Sequence, residues 1–317
     1  MPESSQSHPP FASTPEAALQ ARIGQTPLIR LFAPVENLSG ITLLAKAEWM
    51  NPGGNSKDRA AAAMLADAQA RGLLRPGQSI LEATSGNMGV SLAMLGALLG
   101  IPVHLTLPAD ASPAYPRLFT AYGASFELTP AAAGLDGAIL RARELAGQKP
   151  EHYCLLDQFS NDANWLAHYR STGPEIWQQT EGRLTHFVAG VGSGGTFLGT
   201  ARKLKEMNPL LTTVCVQPEE NARIAGLCSM HAPVIPAIYN PHLASREVLI
   251  GEAEARASME QMARCEGLLV SPASAAVLAA CAQIAREEAE AGREAIIATL
   301  LGDSGERHLN QDLKSDA

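Results

Sequence analysis

Short apolar runs alternate with segments of helical pattern along most of the chain. The apolar runs are continuous rather than alternating, so we interpret them as strands that are covered on both faces. A helical pattern follows most of them. The predicted strands span residues 41–47, 79–83, 103–107, 186–189, 213–217 and 296–301, and the predicted helices span residues 58–71, 88–99, 114–122, 196–205 and 275–291.

A strand followed at short spacing by a helix is typical of α/β proteins, in which helices flank mostly parallel sheets. The runs Phe187-Val-Ala189 and Ala295-Ile-Ile-Ala298 fit buried parallel strands. In such folds, ligands bind beyond the carboxyl ends of the strands, where turns lead into helix N-termini. The chemistry of this chain is therefore expected in its strand-to-helix turns.

The composition is that of a globular protein, since 46% of the 317 residues are hydrophobic and 18% are charged. This excludes a mainly disordered chain, and the length suggests two compact units or one large one. The formal net charge of −8, without local basic clusters, argues against nucleic acid as a partner.

The cysteines are scattered, odd in number and without a Cys-x-x-Cys pair, so we expect no disulfide framework and no zinc cage. Unpaired thiols fit a reducing cytoplasm. His168 and His186 have no cluster of other metal ligands near them in the sequence, and we expect both to be structural. The cysteines are Cys154, Cys215, Cys228, Cys265 and Cys281.

The N-terminal segment, residues 1–22, is polar and rich in Pro, Ser and Thr. We predict a flexible extension without the apolar core of a secretory signal. The longest apolar run, residues 90–103, is short and interrupted by Gly and Pro, so we expect no membrane span.

The first informative turn is Asn51-Pro-Gly-Gly-Asn-Ser-Lys57-Asp-Arg59. Asn55 or Ser56 could cap the helix that begins here, and Asp58 suits its positive end. Lys57 opposes the helix dipole, which favours a neutral, nucleophilic amine of the kind that Schiff-base chemistry requires. A solvated surface lysine is the alternative, and for a single lysine it is the more common one.

The second turn is Ala83-Thr-Ser-Gly-Asn-Met-Gly89, between an apolar strand and an apolar helix. Thr84, Ser85 and Asn87 place several polar side chains and free amides at one helix N-terminus, which suits a carboxylate. A simple capped helix is the alternative, but it requires only one such residue.

The third turn is Gly190-Val-Gly-Ser-Gly-Gly-Thr196, where consecutive glycines can wrap a phosphate group. The same residues satisfy Gly-x-Gly-x-x-Gly, and Glu219 follows the next predicted strand. A dinucleotide site of an NAD-dependent oxidoreductase is therefore a competing interpretation. The lysine of an ATP-binding loop is absent from this turn.

Taken in order, these turns resemble the fold-type-II pyridoxal phosphate enzymes, and among them the cysteine synthases, especially the B type. The resemblance covers residues 23–309. The matching segments are Gly24-Gln-Thr-Pro-Leu28, Asn51-Pro-Gly-Gly-x-x-Lys57-Asp-Arg59, Thr84-Ser-Gly-Asn-x-Gly89, Asp157-Gln-Phe-Ser-Asn161, Thr172-Gly-Pro-Glu-Ile-Trp177, Gly192-Ser-Gly-Gly-Thr196, Gln217-Pro-Glu219 and Asp303-Ser-Gly-Glu-Arg307.

The resemblance implies that Lys57 holds pyridoxal 5'-phosphate as a Schiff base and acts as the base at the substrate Cα. It implies that Asn87 binds the ring hydroxyl of the cofactor. The substrate carboxylate would be held by Thr84, Ser85, Asn87, Met88 and Gln158, and the cofactor phosphate by Gly192, Ser193, Gly194, Gly195 and Thr196.

The sequence departs from this family opposite the pyridine nitrogen. Ungapped alignment places Ala273 where the family has serine, and Ser274 and Ser271 lie nearby. We favour Ser274 as the partner of the nitrogen. The alternatives are Ser271, no side-chain partner at all, or helix capping by both serines.

The resemblance also implies an architecture and an activity. We expect two intertwined units, a smaller mobile one over residues 50–160 and a larger phosphate-binding one over residues 23–49 plus 161–317, in a homodimer. The implied reaction joins an O-activated L-serine, first of all O-acetylserine, with sulfide or another thiol to give L-cysteine. Alternatives are homocysteine as acceptor, as in cystathionine β-synthase, O-phosphoserine as donor, or a non-catalytic amino-acid-binding relative.

Overall fold

The structure of the protein is a computed structural model, and it describes residues 14–230 and 235–309. Strands of this part of the chain form two sheets. The strands are β1 (Leu28–Leu31), β2 (Ile41–Ala47), β3 (Ser79–Ala83), β4 (Val103–Pro108), β5 (Ser125–Thr129), β6 (Tyr153–Leu155), β7 (His186–Gly190), β8 (Thr212–Pro218), β9 (Arg246–Ile250) and β10 (Ala295–Leu301).

Helices cover both sheets. The α-helices are α1 (Pro15–Gln20), α2 (Lys57–Ala70), α3 (Asn87–Leu99), α4 (Ala114–Ala121), α5 (Gly134–Gln148), α6 (Asp162–Arg170), α7 (Thr172–Gln179), α8 (Gly195–Met207), α9 (Glu252–Gln261) and α10 (Pro272–Glu290). Single turns of 3-10 helix occur at Ala33–Val35, Glu48–Met50, Ala131–Ala133, Pro241–Leu243 and Gly305–His308, and a π-helical turn occurs at Met262–Glu266.

The larger sheet has the strand order β1-β2-β10-β7-β8-β9, and the smaller one has the order β5-β4-β3-β6. All pairings are parallel except that of β1 with β2. The predicted α/β class with mostly parallel sheets is therefore confirmed. The chain crosses between the sheets, because β2 from its beginning pairs with β10 from its end.

The predicted strands and helices are present, with ends that differ by a few residues. The burial of their side chains explains why the central strands form. Phe187 and Val188 of β7 and Ile297 of β10 are fully buried, as expected for strands covered on both faces. The small residues of α10 lie against this sheet, and most of its alanines are buried.

The N-terminal segment that we predicted to be a flexible extension is partly helical. Residues 1–13 lie outside the described residues, but α1 follows directly. The Thr14 side chain accepts a hydrogen bond from the Ala17 amide at the start of α1, and Leu19 packs against the core of the smaller sheet. This cap and this apolar contact favour order over residues 15–20.

Helices α6 and α8 approach each other closely at Gly199. A Cβ atom there would lie 2.0 Å from the Trp165 carbonyl oxygen and 2.9 Å from the Tyr169 amide nitrogen. Backbone atoms cannot yield as a side chain can, so we expect Gly199→Ala to destabilise the protein by about 2–3 kcal/mol. Urea unfolding measures this effect. Gly147→Ala in α5, where nothing lies within 4 Å of the added atom, is the control and is expected to be neutral or slightly stabilising. Equal midpoints for both variants would contradict the prediction.

Candidate active site

The carboxyl ends of strands from both sheets face one cavity of about 1370 Å³. The turns after β3, β4, β7, β8 and β10 contribute to its wall, which agrees with the rule for ligand sites in α/β sheets. The predicted site residues that line it are Lys57, Thr84, Ser85, Asn87, Met88, Gln158, Gly192, Ser193, Gly194, Thr196, Ser271 and Ser274. Gly195 is not part of the wall.

The turn before Lys57 is held by its own polar side chains. Asn55, rather than Ser56, caps α2, since its Oδ1 accepts the Lys57 amide hydrogen at 2.8 Å. Asp58 is buried and accepts hydrogen bonds from the Gly53 amide and the Ser91 hydroxyl. Burial raises the pKa of Asp58 to about 6 despite these two bonds. The turn therefore presents Lys57 from a fixed backbone.

The amine of Lys57 reaches across the cavity to the glycine-rich turn. Its Nζ donates a hydrogen bond to Ser193 Oγ at 3.3 Å. Burial lowers the pKa of Lys57, and this effect is only partly offset by Cys228, Glu82 and Asp303. A lysine with a lowered pKa has more of the neutral form that acts as nucleophile and base.

The Ser193 Oγ atom accepts hydrogen bonds from two donors. Besides Lys57 Nζ, its Oγ accepts a hydrogen bond from Asn164 Nδ2 at 3.0 Å, so the hydroxyl hydrogen is left for another acceptor. Asn164 Nδ2 also donates to the Gln158 carbonyl oxygen at 2.7 Å. Asn164, a buried residue of α6, thus joins the glycine-rich turn to the segment that carries Gln158.

The glycine-rich turn has the geometry of an anion site. Gly194 has a φ of +91°, and a Cβ at Gly192 would lie 2.9 Å from the Gly226 carbonyl oxygen. Gly195 has a packing role, because a Cβ there would lie 2.1 Å from Asn164 Oδ1. Thr196 Oγ1 lies 3.2 Å from Nε2 of the buried His168. In the described part of the chain, the backbone N–H groups of residues 194–196 have no protein acceptor, as an anion site at a helix N-terminus requires.

The turn after β3 divides its polar groups between the fold and the cavity. Thr84 is buried, and its Oγ1 accepts the amide hydrogens of Gly86 and Gly89 at 2.9 and 3.2 Å. Ser85 is exposed in the cavity. The amides of Asn87 and Met88 have no acceptor among the described residues. These two amides and Ser85 are therefore the groups free to bind a carboxylate.

Gln158 lies beside this turn, above a buried acid that the sequence analysis did not consider. Gln158 Nε2 donates to the Ala83 carbonyl oxygen at 2.9 Å. The Glu82 carboxyl group accepts the amide hydrogens of Ala83 at 3.2 Å and Gln158 at 3.3 Å. Burial, reinforced by the charge of Asp157, raises the pKa of Glu82 to about 8. Glu82 is therefore mostly protonated at neutral pH.

We expect the Glu82 carboxyl group to make the stability of the protein fall between about pH 5 and pH 8. In the unfolded chain, glutamate ionises near pH 4.5, whereas in the folded protein it keeps its proton up to about pH 8. The folded state therefore binds the extra proton in this window, and the free energy of unfolding falls as the pH rises, by at most about 1.4 kcal/mol per pH unit. Glu82→Gln should gain stability relative to the wild type over the same range.

Denaturant unfolding at several pH values measures that difference. Glu290→Gln, at an exposed position near the end of α10, is the control and should show a constant difference from the wild type. A constant difference for Glu82→Gln would mean that Glu82 ionises in the folded protein as it does in the unfolded chain.

The two serines near the expected pyridine nitrogen have different surroundings. Ser271 caps α10, and its Oγ lies 3.0 Å from Ser274 Oγ, to which it donates. Ser274 Oγ also accepts the Gly302 amide hydrogen at 3.0 Å. The capping interpretation therefore describes Ser271, whereas the Ser274 hydroxyl hydrogen has no acceptor among these contacts and lies at the cavity wall.

A buried cluster of charges lies behind the lysine turn. Arg59 pairs with Glu48 at 2.8 Å and with Glu175 at 2.7 Å, and Lys46 pairs with Glu175 at 2.7 Å. Asn51 Nδ2 donates to Glu48 Oε2 at 2.9 Å. The cluster brings together three segments quoted above as motifs, those of Gly24, Asn51 and Thr172, which explains their polar residues by structure rather than by substrate contact.

The competing NAD interpretation requires Glu219 at the site. Glu219 does not line the cavity, and its carboxylate lies against Gly251, where an added Cβ would be 2.8 Å from Oε2.

Three further residues at or beside the cavity were not predicted from the sequence as site residues. Cys228, whose pKa burial raises to about 11, lines the cavity, and Asp303 and Arg307 contact Asn87. The quoted segment Asp303-Ser-Gly-Glu-Arg307 was the available signal for the last two.

Comparison with known proteins gives the family of this site. Residues 19–302 match the family described as pyridoxal-phosphate dependent enzyme. The chain belongs to this family. Its cofactor is therefore pyridoxal phosphate, as predicted, and the dinucleotide alternative is overturned.

The relatives of this pyridoxal-phosphate dependent enzyme include cysteine synthases. The cysteine synthase of Aquifex aeolicus is 42% identical over 310 residues, which cover 97% of this chain and 94% of that protein. Cysteine synthase B of Pseudomonas aeruginosa is 40% identical over 290 residues, which cover 91% of this chain and 94% of that protein. The solved O-acetyl serine sulfhydrylase isoform 3 of Entamoeba histolytica is 28% identical, has a TM-score of 0.84 and covers 100% of this chain and 95% of that one. The predicted resemblance to cysteine synthases is confirmed.

Among the described residues of this enzyme, no helix is long and apolar enough to cross a membrane. Within residues 14–230 and 235–309, no group of three or more His, Cys, Asp or Glu side chains is placed to hold a metal ion.

Proposed function

We propose that this enzyme replaces the acetoxy group of O-acetyl-L-serine with sulfide, which gives L-cysteine and acetate. Cysteine synthesis is the activity that the relatives support. The observation that carries the proposal is the position of Lys57 Nζ, 3.3 Å from Ser193 Oγ, in the cavity where the N-termini of α3 and α8 meet. One N-terminus suits the substrate carboxylate and the other a phosphate group.

The residues fit pyridoxal phosphate. The amides of residues 194–196 and the hydroxyls of Ser193 and Thr196 suit its phosphate, and the approach of Gly192 to the Gly226 carbonyl leaves room only for glycine. Ser274 has a hydroxyl hydrogen to donate to the ring nitrogen. When bound, the cofactor supplies an electron sink for negative charge at the substrate Cα.

The protein groups then divide the remaining work. Lys57 Nζ holds the cofactor and is placed to take the proton from the substrate Cα, which its lowered pKa favours. Ser85 and the amides of Asn87 and Met88 bind the substrate carboxylate, with Thr84 and Gln158 fixing the backbone around them. A bound carboxylate keeps Cα near Lys57 and makes proton removal a local step.

The cavity favours an acetylated over a phosphorylated donor. Among the described residues, its lysine and arginine side chains are those of Lys57 and Arg223. Arg223 is exposed, and its backbone amide donates to Glu252 Oε1. A second phosphate would therefore meet no buried arginine or lysine besides Lys57, and charged groups need such partners when they leave water.

A donor and acceptor screen on the purified enzyme tests the proposal. Reconstitution with pyridoxal phosphate should produce a visible absorption band, and O-acetylserine with sulfide should have the highest kcat/KM. O-phosphoserine and O-acetylserine are compared as donors, and sulfide and homocysteine as acceptors. A preference for homocysteine or O-phosphoserine would contradict the proposed substrates, and failure to bind the cofactor would contradict the assignment as a whole.

We propose further that residues 50–160 form a smaller unit that closes on the substrate carboxylate, and that residues 23–49 plus 161–317 form the larger unit. The smaller sheet takes its strands from residues 79–155, which supports this division. Closure would exclude water from the reacting atoms. Small-angle X-ray scattering should then show a smaller radius of gyration when O-acetylserine is added, and an unchanged radius would contradict closure.

We also propose a homodimer in the cytoplasm. The free thiols of the described residues suit a reducing compartment. Phe32 and Met50 are each 60% exposed, and a second copy could cover these large apolar side chains. Light scattering should give twice the mass of one chain, and Phe32→Ser with Met50→Ser should weaken association. A monomer at micromolar concentration would contradict this proposal.

A further inference from the structure

Both polar atoms of the Asn87 side chain form hydrogen bonds with residues of the segment 303–307. Arg307 Nη1 donates a hydrogen bond to Asn87 Oδ1 at 2.9 Å. Asn87 Nδ2 donates to Asp303 Oδ2 at 2.8 Å. The resemblance gave Asn87 a role toward the cofactor ring, but it gave none to Arg307 or Asp303. The two residues of the first bond are 220 positions apart in the sequence, and those of the second are 216 positions apart.

Arg307 and Asp303 are themselves held in place by further hydrogen bonds. Arg307 Nη2 donates to the Gly53 carbonyl oxygen at 2.7 Å, in the turn before Lys57. The Arg307 carbonyl oxygen accepts the Ser112 hydroxyl hydrogen. The 3-10 helix Gly305–His308 brings Arg307 to this position. Arg307 therefore connects the lysine turn, the Asn87 turn and the segment before α4.

Asp303 is equally constrained. It is buried, and its Oδ2 lies 3.3 Å from His308 Nε2. Burial alone would raise the pKa of Asp303, but the hydrogen bonds from His308 and Asn87 lower it below the ordinary value. The group is therefore an ionised carboxylate, which is a strong acceptor for the Asn87 amide.

These contacts leave the Asn87 amide a single orientation. Its oxygen faces a guanidinium group and its nitrogen faces a carboxylate. A flipped amide would place NH₂ against the N–H of Arg307 and oxygen against the carboxylate of Asp303, and both contacts would be repulsive. The amide nitrogen carries two hydrogens, of which Asp303 accepts one. The second is left for an acceptor in the cavity that Asn87 lines.

We propose that Arg307 and Asp303 are positioning residues that fix the Asn87 amide so that its second N–H hydrogen bonds to an anionic ring oxygen of the bound cofactor. The inference rests on the proposed function, since it concerns the same cavity. A donor held in place stabilises the ionised form of a phenolic oxygen more than a mobile one does. Loss of the hydrogen bonds from Asn87 to Arg307 and Asp303 should therefore weaken cofactor binding and shift the pH at which the bound cofactor changes its absorption.

A double-mutant cycle tests this inference. Arg307→Gln in the wild type is expected to weaken binding of pyridoxal phosphate about three- to tenfold, the value of one hydrogen bond, and to shift the pH profile of the visible band. In an Asn87→Ala background, the same substitution should have little further effect. Arg307→Lys should restore part of the profile, because it keeps the charge facing Asn87 Oδ1.

Two controls separate positioning from a structural role. Arg71→Gln, at an exposed ion pair directly after α2, should leave the absorption profile unchanged. Asp303→Asn provides an independent variant if Arg307→Gln does not fold, and it should shift the profile more in the wild type than in Asn87→Ala. Equal shifts in both backgrounds, or no shift in either variant, would overturn the inference. Failure of the wild type itself to bind the cofactor would instead contradict the proposed function.

Discussion

Replacing Lys57 with alanine is expected to reduce kcat by about 10³-fold or more, the range lost when an essential acid–base group is removed. The amine both holds the cofactor and takes the Cα proton, so its removal affects two roles at once. The remaining carboxylate and phosphate subsites should still bind their ligands, because their amides belong to α3 and α8. Steady-state assays with O-acetylserine and sulfide, together with the visible spectrum, measure the loss.

A second substitution at Lys57 tests whether the charge alone accounts for the effect. Lys57→Arg keeps a cation but offers no neutral amine, so the loss of turnover should be equally large. Lys149→Ala, at an exposed lysine following α5, is the control and should keep full activity. Turnover within about tenfold of the wild type in Lys57→Ala would exclude Lys57 as the base.

Replacing Arg59 with alanine is expected to destabilise the protein by about 3–5 kcal/mol. The Arg59 side chain is 2% exposed, and its partner Glu48 is fully buried. Removal of the guanidinium leaves Glu48 as a buried carboxylate without its cation and takes one partner from Glu175. Because the cluster lies directly behind the lysine turn, we also expect a misplaced Lys57 and lower activity. Urea unfolding and kcat/KM measure the two consequences.

Neighbouring variants make the prediction specific to the buried cluster. Arg71→Ala, directly after the same helix, removes an ion pair whose side chains are 63% and 35% exposed, and it should cost less than about 1 kcal/mol. Arg59→Met combined with Glu48→Gln should be less destabilised than the sum of the single variants, since no charge is then left unpaired. Strict additivity would show that the ion pair contributes nothing of its own.

The order of elements was predictable from the sequence where burial is uniform. Strands such as β7 and β10 are covered on both faces, so their composition alone indicates them. By contrast, β5 and β9 were missed because only one side chain of β5 and two of β9 are buried, and both strands contain charged residues. The strand β6 has only three residues, which is too short for a pattern. The flanking helices α5, α6, α7 and α9 were also absent from the prediction.

The candidate site was predictable where its residues share a turn, as in the segments around Lys57, Asn87 and Ser193. These residues meet because parallel strands place their carboxyl ends at one edge. Asn164, Glu82 and Arg307 were missed for a different reason. Their partners are remote in sequence or belong to a buried strand, and local spacing carries no information about such contacts. Ser271, in turn, could be assigned to capping only from its neighbours.

The pairing of β2 with β10 has a consequence for synthesis on the ribosome. β2 emerges early, but its parallel neighbour β10 spans Ala295–Leu301 and is translated after all the other described strands. The nascent chain must therefore keep an apolar strand without this neighbour until residues 295–301 have been made, whereas the strand pairings among β3 to β6 can form once residue 155 has been made. Such a distant pairing slows folding and leaves an edge open to aggregation. Chaperone protection of β2 during translation would thus matter more for this protein than for one whose sheet is completed in sequence order.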